Sequence, residues 1–257
     1  MKKLPRDSGG RSGKQGRVSN REDRRQTRFS RELVVLYEDD AIVALDKPAG
    51  LAAVPVRGSD APSAWSLLSA ALKRKRQRAF VVHRIDRFTS GILLFAKTES
   101  DRDILVRQFL RHTPLREYLA VVRGRLGVSE AKLVHYFRRD GMFQKLRTQT
   151  DPKAARAELR YSVERPLLGA TLVRVALATG LQNQIRVQFS AIGHPVVGDR
   201  KYHLAESSER RIARVALHAV HLQFIHPRSG ESVSIDSELP PDFQSLLQAL
   251  ALARPHR

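Results

Sequence analysis

The chain has no cysteine in 257 residues. Disulfides and thiolate-held metals are therefore excluded, and nothing points to an oxidising compartment. Long apolar runs are missing too: none approaches the roughly 20 residues of a membrane span, and no apolar core of a signal peptide lies near the amino end. The cytoplasm is the expected location. There is no glycine-rich phosphate loop followed by lysine, no nucleophile elbow and no acidic pair suited to metal-dependent nucleotidyl transfer. Negative charge is scarce, with 26 Asp+Glu against 46 Lys+Arg and a formal net charge of +20. Solubility does not require so one-sided a balance, which favours a polyanionic partner, nucleic acid first. With 42% hydrophobic residues, the chain can bury an ordinary core.

Charge and apolar content are unevenly spread. Residues 1–32 hold eleven basic side chains, from Lys2 and Lys3 to Arg28 and Arg31, against Asp7, Glu22, Asp23 and Glu32, with almost no apolar residues. Such a segment cannot offset its ordering entropy and is read as a disordered basic arm. A transit peptide is the rival reading, disfavoured by the acids and the lack of amphipathic period. Order is expected over 33–257. Leu33–Tyr37 and Ala41–Leu45 read as a hairpin, followed by a loop at Lys47-Pro48-Ala49-Gly50. Ser63 is an N-cap candidate for a helix carrying Trp65, Leu68 and Leu72, with a basic tail from Lys73 to Arg78. A second helix is expected over 101–110, and strands over 118–122, 158–163 and 171–177. Segments 217–225 and 232–235 read as a closing hairpin around His226-Pro227-Arg228-Ser229-Gly230. Mostly antiparallel strands with inserted helices define an α+β fold.

Two stretches concentrate the candidate chemistry. His83-Arg84-Ile85-Asp86-Arg87-Phe88-Thr89-Ser90-Gly91 places one carboxylate among cations, directly before the apolar run Ile92–Ala96. A polar turn feeding a buried strand would leave Asp86 at a sheet edge within a ligand's reach, or merely ion-paired at a turn. In Thr179–Asp199, Ile185, Phe189 and Ile192 fall at i, i+4 and i+7, and Gly193 supplies a stop. These positions predict a short helix with one buried face and a polar first turn. Arg186 lies beside that face, where its stem can be buried while its fork reaches a carboxylate.

Together these stretches resemble the active-site motifs of the RluA-type family of RNA pseudouridine synthases. The first resembles His-Arg-Leu-Asp, a variable pair and Thr-Ser-Gly. The second resembles Thr-Gly-Arg-Thr-His-Gln-Ile-Arg-Val-His, ending in Gly-His-Pro and Gly-Asp. Arg116-Glu117-Tyr118 is similar to the family's Arg-Glu-Tyr segment, and the Lys47–Gly50 loop to its first, largely structural motif. Matching segments run in order from about residue 33 to 247. The resemblance implies an α+β catalytic domain on a bent, mainly antiparallel mixed sheet. It also implies a cofactor-free isomerisation of uridine to pseudouridine in structured RNA, ribosomal or transfer.

By the same resemblance Asp86 is the essential carboxylate, acting as nucleophile at sugar or base or as general base at the ribose. Arg186 would pair with it bidentately and lower its pKa. Tyr118 would stack on the target base, and Arg84 would fill the place the base vacates. Arg87, Thr89 and Ile185, in the same motifs, are candidate substrate contacts. The chain departs from the pattern at Leu181, Gln182, Asn183 and Gln188, where Arg, Ser or Thr, His and His are usual.

Three further expectations complete the reading. His218 and His221 lie three apart in a strand, hence on opposite faces, so no metal site is expected. The chain leaves no room for a separate RNA-binding domain, so affinity should come from the arm and the basic surface of the catalytic domain, in a monomer. A catalytically silent RNA-binding or ribosome-assembly protein on the same scaffold is the alternative, and the trio Asp86, Tyr118 and Arg186 weighs against it.

Overall fold

The computed structural model of the chain describes residues 2–3, 33–141, 143–202 and 211–251. Lys2–Lys3 pairs as a two-residue strand (β1) with β2 (Val34–Glu38). The remainder of the expected basic arm lies outside the described residues.

β2 and β3 (Ile42–Lys47) form the expected hairpin, closed by Asp39, whose carboxylate accepts from the amides of Ala41 and Ile42. Helix α1 (Ala64–Arg74) starts at Ser63, whose side chain accepts from the Ser66 amide in a capping box. It buries Ala64, Leu68 and Leu72. Of the expected basic tail it takes in only Lys73 and Arg74: Lys75 caps its end, and Arg76 takes a left-handed φ of 57°. β4 (Phe80–Val81) and β5 (Ser90–Ala96) follow, the latter buried along its whole length. Helix α2 (Glu99–Leu110) begins two residues earlier than the apolar period suggests because Thr98 caps it. The second half of the chain contributes β6 (Leu115–Arg123), β7 (Glu130–Asp140), β8 (Phe143–Arg147), β9 (Ala155–Leu167), β10 (Ala170–Leu177) and helix α3 (Gln184–Ala191). β11 (Leu217–Ile225), β12 (Ser232–Asp236) and helix α4 (Pro241–Ala249) complete it.

The described strands join into one sheet of order β1-β2-β3-β5-β11-β6-β10-β9-β7-β8, with β4 added to β5 and β12 to β11. All pairings are antiparallel except β5 with β11, which meet in parallel over His218↔Ser90 and Ala219↔Gly91. That seam joins two antiparallel halves, and it needs a glycine. A Cβ on Gly91 would lie 2.2 Å from the Ala219 carbonyl oxygen, and its φ of 108° is closed to other residues. Ser90 Oγ bonds His218 Nδ1 at 2.9 Å across the same seam. The largest apolar cluster packs β6, β10, α3 and α4 around Val121, Val173, Phe189 and Phe243. Two others hold the first half, one beneath α1 (Leu45, Leu68, Phe95) and one beneath α2 (Ile42, Leu94, Leu105). The four helices among the described residues and the mixed sheet make the fold α+β, as the sequence pattern implies.

Candidate active site

The loop of Asp86 leads into β5 just before the seam, so the first residues after the carboxylate are locked into the middle of the sheet. Lys47, fully buried, donates to the carbonyls of Pro48, Leu51 and Arg87 at 2.9, 2.9 and 3.2 Å. The Gly50 amide donates to the Arg87 carbonyl, and Arg87 Nε returns a bond to the Gly50 carbonyl. The Lys47–Gly50 loop thus clamps the Asp86 turn from one side. Burial, with the charge of Arg214, brings the Lys47 ammonium down to about 7. Thr89 closes the turn by donating its amide to the Asp86 carbonyl, and its own buried hydroxyl has no partner among the described residues.

Arg84, Asp86, Arg87, Thr89, Tyr118 and Ile185 all line one cavity of about 520 Å³. Asp86 is half-buried, with its side chain 25% exposed, whereas Arg84 is exposed. Tyr118 stands on β6, where burial and the Asp86 charge push its phenol up to about 12, so it stays protonated. His83, behind the turn, accepts from the Leu94 amide and stacks on Phe109 at 4.5 Å. Burial and the charge of Arg116 bring it down to about 3, so it is neutral.

Arg186 does not line the cavity and reaches Asp86 from behind, with Nη1 3.6 Å from Oδ2. The expected bidentate pair with Asp86 is not what the fork makes. Nε and Nη2 bind the two oxygens of Asp199 at 2.7 and 2.8 Å, and Nη1 donates to Asn183 Oδ1 at 2.7 Å. The Asp199 side chain is fully buried and also accepts from the amides of Lys201 and Tyr202. Burial alone would raise its carboxyl; the hydrogen bond and charge of Arg186 hold it below the ordinary range. Asp86 behaves in the opposite way to the expectation. Burial raises its carboxyl, and Arg186, Lys47 and Lys201 only partly offset the rise, because the guanidinium is committed elsewhere.

The departures from the family pattern have visible consequences. Asn183 stands at the N-cap of α3 yet makes no capping bond and adopts a left-handed φ of 56°. Its side chain is spent on Arg186 and, through Nδ2, on the Tyr202 hydroxyl at 3.2 Å. A strained non-glycine backbone beside a candidate site is the usual mark of such a diversion. Gln188 is fully buried, donating to the carbonyls of Leu133 and Ala157 on β7 and β9, and it is structural. Gln182 lines the cavity, and Leu181 both lines it and packs toward Phe137 and Val187. α3 is buried all round its first turns, including Gln184, Arg186 and Gln188, rather than on one face. Gln184 explains part of this, accepting from Thr179 Oγ1 and the Leu181 amide to shape the preceding loop.

Sequence reasoning missed Asp199 and Asn183 as partners of Arg186, although both lie inside the motif quoted; an Asp after Gly198 was the available signal. His218 bonds Ser90 and the Ser237 carbonyl, and His221 bonds Asp236. Among the described residues no group of three or more His, Cys, Asp or Glu could hold a metal, and no helix is long and apolar enough to cross a membrane.

The fold is found in known proteins. Residues 41–191 match the family model described as RNA pseudouridylate synthase. The ribosomal large subunit pseudouridine synthase D of Zymomonas mobilis is 34% identical over 233 residues, 86% of this chain and 74% of that protein. That of Nitrosomonas europaea is 36% identical over 234 residues, 85% of this chain and 65% of that protein, so the chain spans just under two thirds of that relative. In fold, the chain resembles Human RNA Pseudouridylate Synthase Domain Containing 4, with a TM-score of 0.71, 22% identity and coverage of 91% and 97% of the two chains. The chain belongs to the RNA pseudouridylate synthase family, whose members are isomerases.

Proposed function

We propose that the chain isomerises a uridine of large-subunit ribosomal RNA to pseudouridine, with Asp86 as the essential carboxylate. The observation that carries this reading is the placement of Asp86: a half-buried carboxylate in the wall of a cavity, 3.6 Å from a guanidinium that is itself immobilised. The reaction breaks a carbon–nitrogen glycosidic bond and forms a carbon–carbon bond to the same ribose, with no redox change and no net hydrolysis. It asks of the protein one carboxylate, a pocket that retains and turns the detached uracil, and a means of taking the nucleotide out of its stack.

Asp86 attacks or deprotonates in its ionised form, and the cations Arg186, Lys47 and Lys201 favour that form against the cost of burial. Tyr118, protonated and on the same wall, stacks on the base and can donate a hydrogen bond. Arg84, exposed at the mouth, is the side chain placed to fill the gap left in the RNA. The ribosomal target rests on the names of the relatives and on the basic surface of the chain.

The test is a transcriptome-wide pseudouridine map of cells with and without the gene, complemented by wild type or by Asp86→Asn. Sites in large-subunit ribosomal RNA should disappear on deletion and return only with the wild type. An unchanged map would instead favour the silent RNA-binding protein, and loss confined to transfer RNA would overturn the ribosomal target.

A further inference from the structure

Arg116 is the buried arginine of the cavity wall, and the fold leaves its charge without a carboxylate among the described residues. It lies two positions from Tyr118 on β6 and hence on the same face, and only 8% of it is exposed. Its bonds are weak for a buried guanidinium. Nη2 reaches the carbonyls of Leu177 and Ala178 at 3.3 and 3.5 Å, at the limit of useful hydrogen bonding, and the fork lies over the Phe109 ring at 5.9 Å. Nε is buried with no partner among the described residues. Two other guanidiniums do have carboxylates: Arg186 is bound by Asp199, and Arg174 by Glu117 and Glu164.

The chain makes room for this side chain. A Cβ on Gly180 would lie 2.7 Å from Arg116 Nη1, so a side chain at the start of the Leu181-Gln182-Asn183 loop would push the guanidinium from its place. His83, beside it, is neutral and offers no counter-charge. A buried cation without an anion costs free energy unless something supplies one on binding.

We propose that Arg116 binds a phosphodiester oxygen of the RNA strand next to the flipped uridine, with Gly180 as the cradle that admits it. The inference rests on the proposed function above. A nucleotide drawn out of its stack brings its backbone to the mouth of the cavity, and the guanidinium fork suits a phosphate. The phosphate contact holds the sugar in register against Asp86, while Tyr118 on the same strand holds the base. The same geometry gives this chain a cationic contact in the neighbourhood of Leu181, an apolar residue.

The test has two arms. In the first, the target uridine is mapped in transcribed large-subunit ribosomal RNA, and kcat/KM is measured for wild type and Arg116→Met. The variant should lose about tenfold, the cost of one charged hydrogen bond. A single methylphosphonate in one of the two linkages flanking the uridine should cost the wild type a similar factor and the variant nothing further. That substitution leaves the protein intact, so the arm decides even if Arg116→Met fails to fold; Gly180→Ala, which displaces the fork and keeps its charge, is the second variant. Equal sensitivity of both proteins to methylphosphonate, or none in the wild type at either linkage, would overturn the proposal.

In the second arm, binding of a short fluorescein-labelled oligouridylate is followed by anisotropy against salt. Removing one phosphate contact should make the slope of log Kd on log salt shallower by about 0.7. A shallower slope without turnover on the ribosomal transcript would keep the phosphate contact and sink the ribosomal target. Turnover with unchanged slopes and unchanged methylphosphonate tolerance would sink the contact alone.

Discussion

Arg186 touches two carboxylates, and the geometry separates their effects on stability and on turnover. Asp199 is fully buried and takes two short bonds from the fork, whereas Asp86 is half-exposed and 3.6 Å from one nitrogen. Asp199→Asn puts an amide NH2 against a guanidinium nitrogen and strips a buried cation of its counter-charge. Losing one partner of such a pair costs about 3–5 kcal/mol, a large share of the roughly 5–15 kcal/mol that holds a domain together. Asp86→Asn leaves Arg186 neutralised by Asp199 and removes a carboxylate that burial already disfavours, so its stability should stay within about 1 kcal/mol of wild type, with a small gain the natural direction. Turnover should respond the other way, abolished by Asp86→Asn and reduced by Asp199→Asn in proportion to the freedom gained by the fork. Urea denaturation of the two variants, with Arg186→Met and the Arg186→Met/Asp199→Asn double variant closing a thermodynamic cycle, gives the coupling directly. The reasoning fails if Asp86→Asn proves the more destabilising of the two, or if the coupling between positions 186 and 199 is near zero.

The raised carboxyl of Asp86 should place the acid limb of kcat/KM above that of an ordinary carboxylate, and Lys201→Gln should move it higher still, since that ammonium favours the ionised form; a limb that ignores Lys201 would remove it from the field at Asp86. For folding the sign is the reverse of a salt-bridged acid: the native state holds this proton more tightly, so the group's contribution favours folding at low pH and is lost as pH rises through its native value. His218, held down to about 4 by burial and bonded to Ser90 and Ser237, contributes stability at neutral pH that is lost as pH falls from 6.5 to about 4, worth about 3 kcal/mol. His218→Gln should flatten that part of the stability profile, and an unchanged profile would show that the ring protonates freely in the native state. Gly91→Ala drives a methyl group to 2.2 Å from the Ala219 carbonyl and should cost more than about 4 kcal/mol or prevent folding; a soluble variant with near-native melting would mean the seam opens easily.

Much of the first half of the fold was readable from residues alone, because its determinants are local. Asp39 closes the first hairpin, Ser63 starts a helix, and the apolar run after Asp86 is a strand buried along its length. Less was readable where neighbours decide. β7 and β8, whose exposed and half-buried residues alternate weakly, become strands by pairing with β9 and with each other. α4 buries Phe243, Leu246 and Leu247 against a core assembled from β6, β10 and α3.

The candidate site divides in the same way. Its residue types and their order are written in the chain, and the close spacing of Asp86, Arg87 and Thr89 already places them in one loop. Which carboxylate takes the fork of Arg186 is not, since Asp86 and Asp199 are both acids within reach of a folded arginine and only tertiary geometry ranks them. The ranking comes from burial: the carboxylate that must leave water entirely needs the bidentate partner, and the one facing the cavity is left with a raised pKa and a free edge. The raised carboxyl of Asp86 and the isolation of Arg116 are therefore properties of how two halves of a sheet meet at Gly91, which no local stretch of sequence encodes.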